Sequence, residues 1–539
     1  MSLDLYRNGS IYSAADPFAT AMLVDNGTVA WIGSESAAGA LLDSRMTEID
    51  LQGALVTPAF VDSHVHLGEL GATLAGLDLS AAKSATEILE LVAAAAASGA
   101  GIIHGFGWDE TTFGDRTLPT GEQLENAAPG REIYLSRVDV HSALISPALA
   151  GRLGLVPGEE FSGALIHGQS HANLRTSVFT YDASVNAANR DRALAHLAST
   201  GHGTVVEMAA EHISGRADLE ALLARSEDQE AANPKVYAYW GQVVSAEDEA
   251  RELLASFASR AVVGLGGDLN VDGSIGSRTA LLRGDYNDAP GNRGISYLSV
   301  EQISAHVAAC SLAKIQASFH VIGDAGLDTV LEGFAKAAET VGIAAVQAGR
   351  HRLEHVEMVD DAARTKMLNF SVTASMQPQF DALWGGPEGL YEQRLGAERA
   401  SGMNAIGRFL SAGVPVTIGS DAPVTNTSPW ATVKACLELN DPAARISAKA
   451  AFMAHTRSGF RALGESNPLA GQLVTGAEAT FAVWQASELA IQTPDVRVSS
   501  WSTDARAGTP MLPVLDDELP TCLRTVRAGR TLFDTLNVS

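Results

Sequence analysis

The sequence predicts an α/β fold: a (β/α)8 TIM barrel, a small β-sandwich domain built from both termini, and a long insert after the first barrel strand. Three observations lead there. The middle of the chain alternates short apolar runs with Ala- and Leu-rich helical stretches, the pattern of a parallel sheet or barrel. Both ends instead alternate apolar and polar residues between tight-turn signals, the texture of antiparallel sheet. About 140 residues separate the first and second strand candidates, too many for a connecting loop.

In chain order, residues 1–56 are punctuated by Asn8-Gly9 and Asn26-Gly27, and residues 20–24 and 28–33 read as a hairpin around the second pair. In the tail, residues 479–484, 496–503 and 523–533 are short strand candidates, the last with a turn at Gly529-Arg530. One small domain made of residues 1–56 and 465–539 is the economical reading. Barrel strands are expected at 54–62, 204–208, 235–241, 262–272, 317–322, 351–357, 371–376 and 414–420. Helical stretches at 299–312, 326–341 and 360–368 alternate with the later ones. The barrel would thus use residues 57–68 and 191–464, with its site at the C-terminal ends of the strands. Residues 69–190 must hold structure of their own and are expected to cover the barrel mouth.

Composition narrows the function. At 539 residues and 46% hydrophobic, the chain can bury a large core. A formal charge of -26 with no Lys/Arg cluster argues against nucleic acid or an anionic membrane as a partner and leaves a small molecule. Cys310, Cys436 and Cys522 form no C-x-x-C pair and suit a reducing compartment. The start has no basic segment followed by an apolar run, and the most apolar helical stretch, 88–97, is too short to span a bilayer. A soluble cytoplasmic protein is expected, with a homodimer as the default assembly.

The chemistry lies in a few strand ends. Residues i and i+2 of a strand share a face, roughly 6–7 Å apart. His64 and His66 follow an apolar run with that spacing, which lets both bind one ion. Later strand candidates end in His320, in His355 and in Asp421. Each alone has an ordinary explanation: a core histidine, a polar network, a helix N-cap. Four such ends arriving at the functional rim of one barrel point to a divalent metal site of one or two ions. Nitrogen and oxygen donors suit zinc best, with iron and manganese as alternatives.

The ordered set His64-x-His66, His320, His355, Asp421 resembles the amidohydrolase superfamily. Neighbouring phrases resemble its amidohydrolase-3 branch, which includes N-substituted formamide deformylase. They are Gly107-Trp108-Asp109-Glu110, the run from Asp139 through His141 to Leu144, the run from Asp272 through Arg278 to Ala280, that from His320 to Asp324, and that from Gly419 through Asp421 to Val424. The likeness covers nearly the whole chain. It implies hydrolysis, most often at an amide or similar C–N bond, with Asp421 passing the water proton to the departing nitrogen. His320 and His355 would hold a second ion, or with a single ion one of them would polarise the carbonyl.

One departure stands out. Many relatives bridge two metals with a carboxylated lysine at the end of the fourth strand, where this chain has Asp268. Lys235, the nearest lysine, begins the third strand at the wrong end of the barrel. Asp268, though short, or the longer Glu207 at the end of the second strand could bridge instead; the third alternative is a single-metal site or a weakly held second ion. In the insert, Asp139 and His141 share the i, i+2 spacing, and the resemblance favours substrate contact over a structural pair. Trp108 and Asp109 are candidates for the same pocket, with packing an equal alternative for Trp108. Arg278 would pair with a substrate carboxylate or, slightly favoured, anchor its loop. His104, His167, His171, His202 and His212 lie off the pattern.

The function expected is cleavage of an acyclic amide, such as an N-acyl or N-formyl amine. Deaminating relatives place a glutamate three residues after the strand-five histidine, and Gly323 there disfavours that activity. A catalytically silent scaffold, the remaining alternative, would be expected to lose ligands that this chain keeps.

Overall fold

The computed structural model describes residues 3–98, 101–179, 183–228, 230–492, 501–502 and 509–536. Eight parallel strands form its centre, neighbours in chain order: Phe60–Val65, His202–Ala209, Lys235–Trp240, Val262–Leu265, Gln316–Val321, Arg352–His355, Thr373–Met376 and Val416–Ile418. Both faces of such a sheet are covered, so its strands read as unbroken apolar runs; every residue of His202–Ala209 is buried. The barrel closes through the first and last strands. Val65 bridges Ala422 in parallel, the Asp421 N–H donates to the His64 carbonyl (2.8 Å), and the His66 N–H donates to that of Ala422 (2.9 Å). Buried Asp62 reinforces the seam by accepting from the Ser420 backbone (2.9 Å) and hydroxyl (2.5 Å).

Two strand readings need correction. The run expected at 54–62 is two strands in two domains. Leu55–Pro58 pairs antiparallel with Phe481–Gln485 in a terminal sheet, and the barrel strand starts only at Phe60. Both halves are buried, so hydrophobicity carries no mark where the chain crosses at Ala59. The fourth barrel strand ends at Leu265, not at residue 272. Gly266 (φ 136°) and Gly267 (φ 76°) turn the chain sharply, and a Cβ on Gly266 would lie 1.9 Å from the Ser318 carbonyl oxygen. That turn carries Asp268 inward over the barrel.

Four strands, Thr28–Gly33, Ala21–Asp25, Leu3–Arg7 and Thr47–Asp50, form one terminal sheet. Ser10–Ile11, Leu55–Pro58, Phe481–Gln485, Thr521–Arg527 and Arg530–Asp534 form the other. Tyr6, Met22, Val24, Val29, Phe481 and Val526 belong to a core shared by the two. The expected hairpin is present, with Asn26-Gly27 in left-handed conformation. The tail hairpin turns at Ala528-Gly529, one residue early. Of the expected strand at 496–503, Trp501–Ser502 pairs with Leu489–Gln492, and the rest lies outside the described residues.

The insert is a second α/β unit, a six-stranded sheet with Ile133–Arg137 and Ser142–Ile145 near its middle. Helices such as Ala85–Ser98 and Gly168–Val178 and two apolar clusters complete it. Among the described residues, no helix is long and apolar enough to cross a membrane.

Candidate metal centre

The barrel brings His64, His66, His320, His355 and Asp421 together, all buried, with Asp268 among them. Each ring is oriented by an acceptor on its outer side. His64 Nδ1 lies 2.9 Å from Glu354 Oε2. Burial alone would raise the Glu354 carboxyl, but Arg352 and His64 hold it well below the usual range, so it accepts and His64 Nδ1 carries the proton. His66 Nδ1 faces the Met208 carbonyl (3.1 Å), His320 Nε2 that of Gly273 (3.3 Å), and His355 Nδ1 the Gln377 Oε1 (2.9 Å). With those positions donating outward, the opposite nitrogens converge, and a cation that displaced their protons would meet their lone pairs. His66 Nε2 is 3.0 Å and His64 Nε2 3.4 Å from the Asp268 carboxylate, with His320 Nδ1 and His355 Nε2 at 3.8 and 3.9 Å. His66 Nε2 and His64 Nε2 are 3.2 and 3.4 Å from Asp421 Oδ1. Outward donation with inward lone pairs is how metal-ligating histidines are held.

These residues fit a divalent ion. Buried His64 Nε2 and Asp268 Oδ1 have no hydrogen-bond partner, a costly state that a cation between them would relieve. Two sets, His64–His66–Asp421 and His64–Asp268–His355, offer ligand atoms within 4.8 Å of one another. The electrostatics agree. Burial pushes His66 and His355 down, yet Asp268 and Asp421 lift His66 well above its usual value and His355 to about 9. The cluster attracts positive charge.

Of the two carboxylates weighed for the bridging position, Asp268 is among the imidazoles. Its short side chain reaches because the Gly266-Gly267 turn brings the backbone inward. Glu207 instead accepts from the Leu67 N–H (2.7 Å) at the start of the helix Leu67–Thr73, and burial raises it to about 7.

A narrow cavity of about 30 Å³ borders the cluster, with His320, His355 and Asp421 on one side and Asp139, His141 and Ser274 from the insert and a barrel loop on another. Asp139 and His141 flank Val140 (φ 50°) in a turn rather than on a strand, so alternation is not what aims both at the cavity. Asp139 accepts from the Ser274 (2.7 Å) and Ser277 (2.9 Å) hydroxyls and pairs with Arg137 (3.0 Å), fastening the insert to the barrel. Burial would raise its carboxyl, but Arg137, His141 and the two hydroxyls hold it down to about 2. A folded pKa below the unfolded 3.8 means stability present above pH 3.8 and lost as pH falls toward 2. Asp139→Asn should therefore cost about 2 kcal/mol at pH 7. In urea melts, the gap from the parent should close as pH drops below about 4; a gap independent of pH would refute this role.

Trp108 and Arg278 lie outside the cavity. The Trp108 indole fills the insert core and donates to the Leu135 carbonyl (2.7 Å), and Arg278 pairs with Asp288 (2.7 Å), so its loop is what it anchors. Sequence reasoning missed Glu357, two residues past His355, and the aromatic wall of Phe380, Trp384 and Tyr391. A signal was present: some 39 residues separate the seventh and eighth strands, room for extra structure at the mouth.

The model of the amidohydrolase family, in its amidohydrolase-3 branch, matches residues 47–533. Protein LONG AFTER FAR-RED 3 of Arabidopsis thaliana is 25% identical, with 93% of this chain and 90% of that protein covered. Putative amidohydrolase YtcJ of Bacillus subtilis (strain 168) is 26% identical over 79% of this chain and 82% of its own. The crystal structure of an uncharacterized metal-dependent hydrolase from Pyrococcus furiosus superposes with a TM-score of 0.68 at 27% identity, covering 89% of this chain and 98% of that one. With a match that spans the barrel, the insert and part of each terminal sheet, the chain belongs to the amidohydrolase family, in its amidohydrolase-3 branch, and is a hydrolase.

Proposed function

We propose that this protein hydrolyses a C–N bond of a small amide, such as an N-acyl or N-formyl amine. The observation that carries the reading is the convergence of four oriented imidazole nitrogens on Asp268 and Asp421 beside a cavity lined by the insert and the barrel loops. A divalent ion held by His64, His66, His320, His355, Asp268 and Asp421 would supply water acidified toward neutrality and a polarised carbonyl. Asp421 takes the water proton at its carboxylate and returns it to the departing nitrogen. Glu354, Met208, Gly273 and Gln377 hold the rings still, so no reorganisation is needed as charge develops. His141, its ring centroid 5.2 Å from that of His320, faces the substrate from the insert side.

Deamination fits less well. A Cβ on Gly323 would lie 2.1 Å from the Leu281 carbonyl oxygen, so no ring-protonating side chain fits at that position. Zinc is the ion proposed on donor chemistry, with iron and manganese as alternatives. The three free, buried cysteines support a reducing, cytoplasmic setting. The test is elemental analysis of gently purified protein together with a screen of N-acyl and N-formyl amines. Bound metal with amine release is expected. Metal-free protein, or metal-loaded protein inert toward all of them, would overturn the proposal.

A further inference from the structure

We infer that the cavity accepts an amide bearing a neutral aromatic or other apolar substituent and rejects carboxylate-bearing analogues, a conclusion that rests on reading the site as an amide hydrolase's. The first support is the aromatic wall. The helices Pro378–Trp384 and Leu390–Leu395, added after the seventh strand, supply Phe380, Trp384, Leu390 and Tyr391. These belong to an apolar cluster separate from the barrel core, which also includes Ile275, Ile322 and Val424. The Phe380 and Trp384 ring centroids are 4.8 Å apart, Trp384 and Tyr391 meet edge-on at 6.3 Å, and Phe380 stacks on His355 at 6.0 Å. An aromatic wall thus begins at a proposed ligand and leads away from it along the cavity, where a substituent of the scissile amide would lie.

The second support is charge. Among the residues lining the cavity, Arg137 is the one Lys or Arg, against the carboxyl groups of Asp139, Glu357 and Asp421. Arg137 is already engaged by Asp109 (3.0 Å), Glu110 (2.9 Å) and Asp139 (3.0 Å). Its Nη1 lies buried against Gly276, where a Cβ would be 2.4 Å away, and makes no hydrogen bond beyond its ion pair. Glu357 accepts from the Tyr391 hydroxyl on the apolar side. A substrate carboxylate would enter a site whose one guanidinium is already offset by three carboxylates, a costly burial.

The test uses three probes: N-acetyl-2-phenylethylamine, N-acetyl-L-phenylalanine, which adds a carboxylate to the same skeleton, and N-acetylethylamine, which lacks the ring. Binding to zinc-loaded Asp421→Asn protein is read by calorimetry, so no turnover is needed. The neutral aromatic amide should bind about 100-fold tighter than the acid and about 10-fold tighter than the ringless amide. Trp384→Leu, milder than Trp384→Ala and checked for unchanged metal content, should shrink the second ratio and leave the first. An acid that binds as tightly as the neutral amide, a ring that adds nothing, or no binding by any of the three would overturn the inference. Tight binding of the neutral amide with no cleavage by the parent enzyme would instead count against the hydrolase reading alone.

Discussion

Asp421→Asn should lower kcat about a thousandfold while the protein keeps its metal. The Asp421 backbone is fixed by its hydrogen bond to the His64 carbonyl (2.8 Å) and holds a left-handed φ of 56° past the eighth strand. Its Oδ1 lies between His64 Nε2 (3.4 Å) and His66 Nε2 (3.2 Å), where the proposed mechanism uses it as both ligand and proton acceptor. Asparagine keeps the volume and one oxygen, so the imidazoles can still retain the ion. An amide oxygen is far too weak a base to take the proton from water. The check pairs elemental analysis with turnover on the best amide from the screen. A variant within tenfold of the parent would remove Asp421 from proton transfer, and one that lost its metal would show its coordination to matter more than its basicity.

Glu354→Ala should lower stability by about 3–5 kcal/mol and weaken metal binding about 10–100-fold. Wholly buried, Glu354 accepts from Arg352 Nε (2.6 Å) and Nη2 (2.8 Å), from Ser318 (2.6 Å) and from His64 Nδ1 (2.9 Å). Removing it strands the Arg352 guanidinium in the barrel interior and frees the His64 ring to change tautomer. The two consequences separate in a double variant. Arg352→Met with Glu354→Ala removes the stranded charge and should recover much of the stability, since a buried ion pair exchanged for apolar groups is often neutral. Metal affinity should stay low, because the double variant still lacks the acceptor that orients His64. Urea melts and chelator-driven metal release measure the two quantities. A single variant with parental stability would mean that Glu354 is not the keystone of this network.

Much of this was legible before any coordinates. Strand-ending histidines and Asp421 could be read because a barrel delivers strand ends to one rim, so position along the chain translates into position in space. The terminal hairpins were readable because Asn-Gly pairs mark left-handed turns locally. What escaped depended on contacts rather than pattern. The crossing at Ala59 is silent because a barrel strand and a sandwich strand are both apolar when both are buried. The reach of Asp268 depends on two glycines whose turn is dictated by the neighbouring fifth strand, through Ser318. Trp108 and Arg278 sat in phrases that resemble the family but turned out to pack an interior and pin a loop. Phe380, Trp384 and Tyr391 carry no motif, and only their placement at the mouth gives them meaning.

Anomalous diffraction from crystals of the metal-loaded protein addresses the convergence of these side chains most directly. The expected map has a strong peak enclosed by His64, His66 and Asp421, with any second peak beside His320 and His355 and sharing Asp268. A map with no peak there, and with the imidazoles still gathered around Asp268 and Asp421, would contradict a metal-dependent reaction at this site.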